Sequence, residues 1–332
     1  MGEIAKILWE VAKERFQLSV VTLNIVGASP SYWGIDLPWR DRYQRIADGF
    51  KANAIAPDVI ALQEVAARKE WFLRRDPHDH ESLHFLISKI EDAVNVRYRI
   101  AYLGAAPSNE PGLVQGQAVL YNPVRLKNVT KAPSASILPG DSRPEVTGVN
   151  PRKSYPCATP AKEFEASRSL LDGEGVFWTS IFAGNRNYNV FQAGCVRFAF
   201  AEDEDEQFNF YNVHLDPDLP GSYEAANELI DFMETRRYSR RAIYPPMIAG
   251  DFNGGYEKFP KFDELAGVDI DYIIGGKRAA HESTYGFSVI KRSILPGKTP
   301  NPDGNCTTRD VAWSDHCALL AQIEPAGDFS TG

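Results

Sequence analysis

The chain has 332 residues, of which 43% are hydrophobic and 24% are charged, an ordinary composition for a globular protein. Its formal net charge is −8, from 44 acidic and 36 basic residues. This balance argues against a protein that coats duplex DNA by general electrostatic attraction. No run of about 18 apolar residues is present, so no transmembrane helix is expected.

Residues 1–17 predict an amphipathic helix that packs on the domain. Apolar side chains from Ile4 to Phe16 share one face of it, while its polar face mixes acids with bases. That mixture argues against membrane-surface binding. The segment lacks the continuous apolar core of a signal peptide, so we expect a cytoplasmic protein.

The remaining chain predicts short strands interspersed with helices. Strands are expected at 18–24, 58–62, 98–103, 117–121, 176–182, 189–200, 208–215, 244–251, 270–274 and 317–323, and helices at 39–53, 82–94 and 223–237. The acidic run 202–206 is interpreted as a solvated hairpin tip. Because strands and helices do not strictly alternate, the pattern favours an α/β sandwich with mixed sheets.

Two long stretches without a regular pattern, 131–168 and 277–310, interrupt these elements. The first has six basic residues against four acidic ones, a net charge of +2, and the second has six against three, a net charge of +3. Long irregular loops in a compact domain are usually functional or disordered. Positive loops on an acidic chain suggest an anionic substrate between them, although simple surface variation is the alternative.

The cysteines do not indicate a zinc site, because none of the four forms a C-x-x-C pair. Cys195 and Cys317 lie in apolar runs and are expected to be buried thiols. Cys157 and Cys306 lie in loop-like segments, where a disulfide between them is an alternative.

The segment Met247–Gly254 carries the clearest chemical signal. An apolar strand ends at Gly250, and Asp251 and Asn253 follow two residues apart. Positions two apart on a strand point the same way, so a carboxylate and an amide are expected to face one point. A hard cation or a phosphate oxygen would fit there. The glycines on either side leave that point unshielded.

Five other predicted strand ends carry polar residues of the same kind. They are Thr22-Leu23-Asn24, Gln63-Glu64, Asn212-Val213-His214, Asp271-Tyr272 and Ser314-Asp315-His316. In this order the six motifs resemble those of the endonuclease/exonuclease/phosphatase superfamily, over residues 18–323. The resemblance implies a four-layer, deoxyribonuclease I-like sandwich of two mixed β-sheets flanked by helices. Residues 18–325 would form this single domain and 326–332 a tail.

The resemblance also implies a Mg²⁺ site, in which Mn²⁺ is expected to substitute for Mg²⁺. Mg²⁺ prefers oxygen ligands, usually one or two carboxylates with water and substrate phosphate. Glu64 is the expected ligand, and the family pattern adds Asn24 to the same site. Asp315 is a further candidate contact, partly through water. Taken alone, Glu64 would be interpreted as a surface residue at a strand end.

Histidine is suited to moving protons near neutral pH, and the family pattern selects His214 and His316 as the catalytic pair. The other four histidines, His78, His80, His84 and His281, are interpreted as loop or helix-start residues. The resemblance implies that Asp271 holds His316, that Asp251 activates the attacking water, and that Asn253 binds a phosphate oxygen. Glu110 resembles the acidic position that pairs with the His214 equivalent.

The expected activity is Mg²⁺-dependent hydrolysis of a phosphodiester, with a nuclease favoured and Arg152 and Lys153 as backbone contacts. The final motif, Trp313-Ser314-Asp315-His316, disfavours inositol polyphosphate 5-phosphatases. Deadenylases, sphingomyelinases and small-molecule phosphatases remain alternatives, because substrate choice lies in the loops. An inactive binding module is disfavoured, because all core positions hold competent residues.

Overall fold

The structure, a computed structural model, describes residues 16–25, 38–54, 56–68, 81–107, 113–129, 176–180, 191–215, 244–281, 283, 286–295 and 316–326, with six helical residues between 223 and 233. Of residues 66–68, 81, 102–107, 113–115, 176–180 and 191–192 it describes only the backbone. The predicted N-terminal helix lies outside this part of the chain except at its last residues, as do the loop 131–168 and the tail from 327 onward.

Six strands form the first sheet, and their bounds are β1 Leu18–Asn24, β2 Val59–Arg68, β3 Arg99–Pro107, β4 Leu113–Tyr121, β12 Gly286–Leu295 and β13 Ala318–Ala326. Their order across the sheet is β12-β13-β1-β2-β4-β3. β1 and β2 are parallel and the other neighbours are antiparallel, so the sheet is mixed.

The second sheet has seven strands, which are β5 Leu126–Asn128, β6 Val176–Ser180, β7 Phe191–Phe200, β8 Asp203–His214, β9 Met247–Asp251, β10 Phe262–Val268 and β11 Asp271–Gly276. Their order across the sheet is β10-β11-β9-β8-β7-β5, with β6 also paired to β7. Here β8 and β9 form the parallel pair.

The main core lies between the two sheets. Each strand alternates its side chains between faces, so Val20 enters this core while Val21 points to the opposite face of its sheet. Val59 and Ala61 face Phe198, Phe210 and other aromatic residues of the second sheet across the interior. Both sheets are therefore apolar on both faces, which requires a further layer outside each.

Helices α1 Trp39–Ala52 and α2 Glu81–Val94 cover the outer face of the first sheet. The helical residues between 223 and 233 pack on the outer face of the second sheet, with Leu229 against the cluster that holds Val213 and Ile248. A short helix, α3 Arg278–His281, follows β11. The predicted two-sheet sandwich with outer helices is confirmed.

Several predicted boundaries were wrong. β2 runs through Gln63 and Glu64 to Arg68, and β8 begins at Asp203, so most of the acidic run 202–206 lies in a strand. The stretch 277–310 was expected to be irregular, but α3 and β12 lie within it. β12 and β10 are edge strands of their sheets. Edge strands commonly carry exposed polar residues, which hides their apolar alternation from the sequence.

The two described cysteines correct another expectation. Cys195 and Cys317 are buried, as predicted, but both are disulfide-bonded instead of being thiols. Apolar neighbours in the sequence indicate that a cysteine is buried, but they do not indicate whether its sulfur is a thiol or part of a disulfide. None of the helices in the described ranges has the length and apolar character to span a bilayer.

Gly250 is needed because β8 and β9 approach closely beside it. It pairs with Val213 in the parallel ladder, and a Cβ added at Gly250 would lie 2.0 Å from the Val213 carbonyl oxygen. Its φ is also 148°, a conformation that side chains disfavour. Glycine thus allows β9 to carry Asp251 beside the end of β8.

We expect Gly250→Ala to lower the free energy of unfolding by about 3 kcal/mol or more, because backbone must move to relieve the contact. Gly286→Ala is the matched control, since its Cβ would meet Arg278 Cβ at an ordinary 3.5 Å. Urea unfolding of both variants tests this expectation. Equal stability of the two proteins would contradict it.

Candidate active site

The strand alternation brings polar side chains to one open end of the inter-sheet core. On four strands, every second side chain faces the core between the sheets, and the inward-facing residue at one end of each strand is a predicted site residue. These residues are Asn24 on β1, His214 on β8, Asp251 on β9 and Asp271 on β11. His316, just before β13, joins them there. The site is therefore assembled from both sheets.

Glu64 reaches the same place through a bulge in β2. Leu62 packs on the outer face, so regular alternation would turn Glu64 outward as well. The pairing of β2 with β4 instead shifts register between Gln63 and Val65, and Glu64 has a φ of 54°. A bulge of this kind re-aims a side chain. Glu64 Oε1 consequently accepts a hydrogen bond from Asn24 Nδ2 at 3.0 Å.

Asp251 is the centre of the arrangement. Its Oδ2 accepts from Asn24 Nδ2 at 3.3 Å and lies 3.7 Å from His214 Nε2 and 3.6 Å from His316 Nε2. Asp251 is 1% exposed, whereas the two imidazoles are 18% and 12% exposed. The imidazoles thus line the opening and the carboxylate lies beneath them.

Asp271 holds His316 in a defined orientation. His316 Nδ1 donates to Asp271 Oδ2 at 2.9 Å, which leaves Nε2 directed toward Asp251. A carboxylate on one imidazole nitrogen fixes the tautomer and stabilises the charged form of the ring. The predicted pairing of these two residues is present in the structure.

Asn253 differs from its predicted orientation. The strand ends at Asp251 and Asn253 has a φ of 46°, so the two-residue period no longer applies. Its backbone N–H donates to Asp251 Oδ1 at 3.0 Å, and its Nδ2 donates to the Leu215 carbonyl at 2.7 Å. An amide nitrogen has two hydrogens, so one donor is available for a substrate oxygen.

The electrostatics of the site favour a cation. Burial raises the pKa of Asp251 to about 6; His316 and His214 oppose this change, whereas Asp271 and Glu64 add to it. Three carboxylates therefore lie close together, and two of them are buried. A positive ion among them would relieve this repulsion. Their oxygens are the donors that Mg²⁺ prefers.

Two sets of residues could hold such an ion. The predicted set is Glu64, Asn24 and Asp315, of which the described part of the chain includes Glu64 and Asn24. The second consists of Asp251, Asp271 and His316, whose donor atoms all lie within 4.8 Å of one another. The second set includes an imidazole, a ligand better suited to transition metals than to Mg²⁺. Its imidazole and one carboxylate are already hydrogen-bonded to each other.

Four other predicted residues lie outside the described part of the chain. They are the metal candidate Asp315, the histidine partner Glu110, and the substrate contacts Arg152 and Lys153. Their roles therefore stay predictions.

Three buried polar residues lie below the site, namely Thr22, Gln63 and Asn212, and all are 0% exposed. They belong to the predicted motifs, but no role of their own was predicted for them. Each interrupts an apolar alternation on the inward face of its strand. A polar residue at a core-facing position was the signal that could have identified them.

No protein-family model matches the sequence, and no curated protein matches it significantly. Solved structures do match. A Leptotrichia buccalis C-1013-b protein of the endonuclease/exonuclease/phosphatase family has a TM-score of 0.56 and 13% identity, over 92% of this chain and 99% of that one.

Two further structures give similar values. A functionally unknown Enterococcus faecalis V583 protein has a TM-score of 0.54 and 15% identity, over 94% of this chain and 100% of its own. The human Nocturnin catalytic domain has a TM-score of 0.52 and 16% identity, over 94% of each chain. The fold that the motifs implied is thus confirmed, and this chain has the fold of the endonuclease/exonuclease/phosphatase superfamily.

Proposed function

We propose that the chain is a metal-dependent hydrolase that cleaves phosphodiesters. The observation that carries this proposal is the convergence of His214 and His316 on the buried Asp251 carboxylate, with Asp271 holding one imidazole. A carboxylate that can accept a proton and two imidazoles that can donate one thus lie next to one another. Glu64 and Asn24 add oxygen-containing groups for a cation beside it.

Asp251 is suited to orient and deprotonate the attacking water. Its raised pKa, about 6, lies close to neutral pH, where a general base works best. His316, stabilised in its charged form by Asp271, would donate to a phosphate oxygen. His214 faces Asp251 from another strand and would act on the developing charge or the leaving oxygen. Asn253 offers its second amide hydrogen to the substrate.

Glu64 and Asn24 would hold Mg²⁺, or Mn²⁺ in its place. Such an ion supplies charge neutralisation at the phosphate and lowers the pKa of bound water. Glu64 is partly exposed at its bulge, so it faces the solvent side from which ion and substrate arrive. This geometry favours Glu64 over the more deeply buried Asp251, Asp271 and His316 cluster as the position of the ion.

A nucleic acid is the favoured substrate. The supporting feature is the positive charge of 131–168 and 277–310 on a chain of net charge −8. The human Nocturnin catalytic domain was solved with a bound sulfate anion. Sulfate is tetrahedral like phosphate, so an anion site in this fold agrees with a phosphate-bearing substrate.

Chelation should abolish hydrolysis, and Mg²⁺ or Mn²⁺ should restore it. Glu64→Gln should raise the Mg²⁺ concentration needed for half-maximal activity by about tenfold or more, because a ligating charge is lost. The measurement is rate against Mg²⁺ concentration. A shift produced by Asp271→Asn and absent in Glu64→Gln would place the ion in the buried cluster instead, and full activity in excess chelator would refute metal dependence.

His316→Ala should lower kcat by roughly 10²-fold or more, the usual contribution of an acid–base group. Asp271→Asn should lower it in the same direction, since the imidazole loses its orienting carboxylate. The matched control is His281→Gln, because His281 lies beside Gly276 at the opposite end of β11 from Asp271. Comparable kcat values for the His316 and His281 variants would rule out this role for His316.

If the positive segments bind a nucleic-acid backbone, replacing Arg152 and Lys153 with Ala should weaken binding. The slope of log affinity against log salt should decrease by about one unit for each lost phosphate contact. Binding is measured over a salt series, and hydrolysis of plasmid DNA, single-stranded RNA, sphingomyelin and a phosphoinositide is compared in parallel. An unchanged slope would favour a lipid or small-molecule substrate.

A further inference from the structure

The two sheets are joined below the active site by a hydrogen-bonded group, Thr22, Gln63 and Asn212, which we term the sheet clamp. Gln63 Nε2, on the first sheet, donates to Asn212 Oδ1, on the second sheet, at 2.7 Å. The same Nε2 lies 3.1 Å from Thr22 Oγ1, which also approaches Gln63 Oε1 at 3.4 Å.

The amide nitrogen of Asn212 donates its hydrogen bonds to the backbone of the first sheet. Its Nδ2 donates to the carbonyl oxygens of Leu62 and Ala118, both at 3.0 Å. These two residues face each other in the β2–β4 ladder. Asn212 is therefore fixed to two strands of the opposite sheet, and its oxygen and both amide hydrogens have partners.

Each clamp residue stands one or two positions before a site residue on its own strand. Thr22 precedes Asn24 by two, Gln63 directly precedes Glu64, and Asn212 precedes His214 by two. One residue of strand adds about 3.3 Å. The clamp thus forms the layer between the apolar core and the candidate catalytic residues, and it connects the parts of the site that belong to different sheets.

Gln63 directly precedes the bulge in β2 that turns Glu64 toward the site. The register of β2 with β4 is regular up to Gln63 and resumes at Val65, so Gln63 is the last regular residue before Glu64. A left-handed backbone at a glutamate is strained and persists only when its surroundings fix it. The bonds of Gln63 to Asn212 and Thr22 fix the residue from which the bulge departs.

Stability alone does not account for the clamp. Hydrogen bonds between buried amides and a hydroxyl add little net stability once the cost of removing these groups from water is offset, and replacing both partners by apolar residues of the same shape is often nearly neutral. A fully bonded buried network does, however, define one geometry, whereas an apolar contact permits small sliding between sheets. A site whose residues come from two sheets requires that the sheets be held in one relative position.

We propose that Gln63 and Asn212, assisted by Thr22, are positioning residues that hold Glu64 and Asn24 on one sheet in register with His214 on the other. The inference rests on the proposed function for its catalytic consequence. A displacement of about 1 Å is enough to reduce a rate by roughly 10²-fold. Loss of the clamp therefore lowers turnover and weakens cation binding while substrate binding changes little.

The test compares Gln63→Met, Asn212→Leu and the double variant with Asn209→Leu. Asn209 is a matched control because it is also a buried asparagine on β8, bonded to Arg197 at 2.9 Å. It lies about 16 Å from His214 along the strand. Three quantities are measured: melting temperature, Mn²⁺ affinity by electron paramagnetic resonance, and kcat and KM for bis(p-nitrophenyl) phosphate.

The clamp variants should lose about 10- to 100-fold in kcat with KM changed less than about threefold, and bind Mn²⁺ at least about fivefold more weakly. Asn209→Leu should change only the melting temperature. The double variant should lose no more than the worse single variant, because both substitutions break one connection. If the clamp variants differ from wild type only in melting temperature, the positioning role is refuted.

Two further comparisons test the proposal if the wild-type protein is inactive or if a clamp variant does not fold. If the wild-type protein hydrolyses no phosphoester, the proposed function fails, and Mn²⁺ affinity alone then decides whether the clamp positions Glu64. If a clamp variant does not fold, Thr22→Val is compared with Thr22→Ser, which retains the hydroxyl. Equal kcat and Mn²⁺ affinity in these two proteins would overturn the proposal, and recovery specific to serine would support it.

Discussion

A carboxylate removed from water needs compensating groups, and Asp251 is the residue around which this requirement is met. Its own turn supplies one backbone donor, through Asn253. Asn24 supplies an amide, and two imidazoles approach the same oxygen. Because these partners come from β1, β8 and the residue pair before β13, the carboxylate is compensated only when both sheets are in place. The site is therefore complete only in the assembled sandwich.

The parallel pair in each sheet makes this arrangement possible. β1 with β2 brings Asn24 next to the Glu64 bulge, and β8 with β9 brings His214 level with Asp251. Parallel strands end at the same edge, so their terminal residues become neighbours although they are distant in sequence. The close approach at Gly250 lets the second pair form without a side chain intervening. The two places where strands run in the same direction thus bring together four of the site residues, and the antiparallel pairing of β11 with β9 adds Asp271 beside Asp251.

Much of the fold and most of the candidate site were accessible from sequence because the relevant strands are buried. Central strands such as β1 and β9 are buried along their whole length and mostly apolar, and their polar ends are conspicuous against that background. The edge strands β10 and β12 were missed because one side of each is exposed. The bulge at Glu64 was not predictable, since positive φ in a glutamate has no local sequence signature. The clamp was missed because Gln63 and Asn212 matter through contacts between sheets.

The disulfide-bonded state of Cys317 has a consequence for how the protein is made and handled. Cys317 directly follows His316, so its disulfide bond restrains the chain next to a candidate catalytic imidazole. Disulfides persist mainly in oxidising surroundings and are rare in cytosolic proteins, so this bond disagrees with the cytoplasmic location expected from sequence. Protein produced in a reducing host would carry a thiol at this position. Preparations with different redox histories would then differ in how firmly the His316 segment is held, while having the same sequence and a mass that differs only by the hydrogens of the thiols.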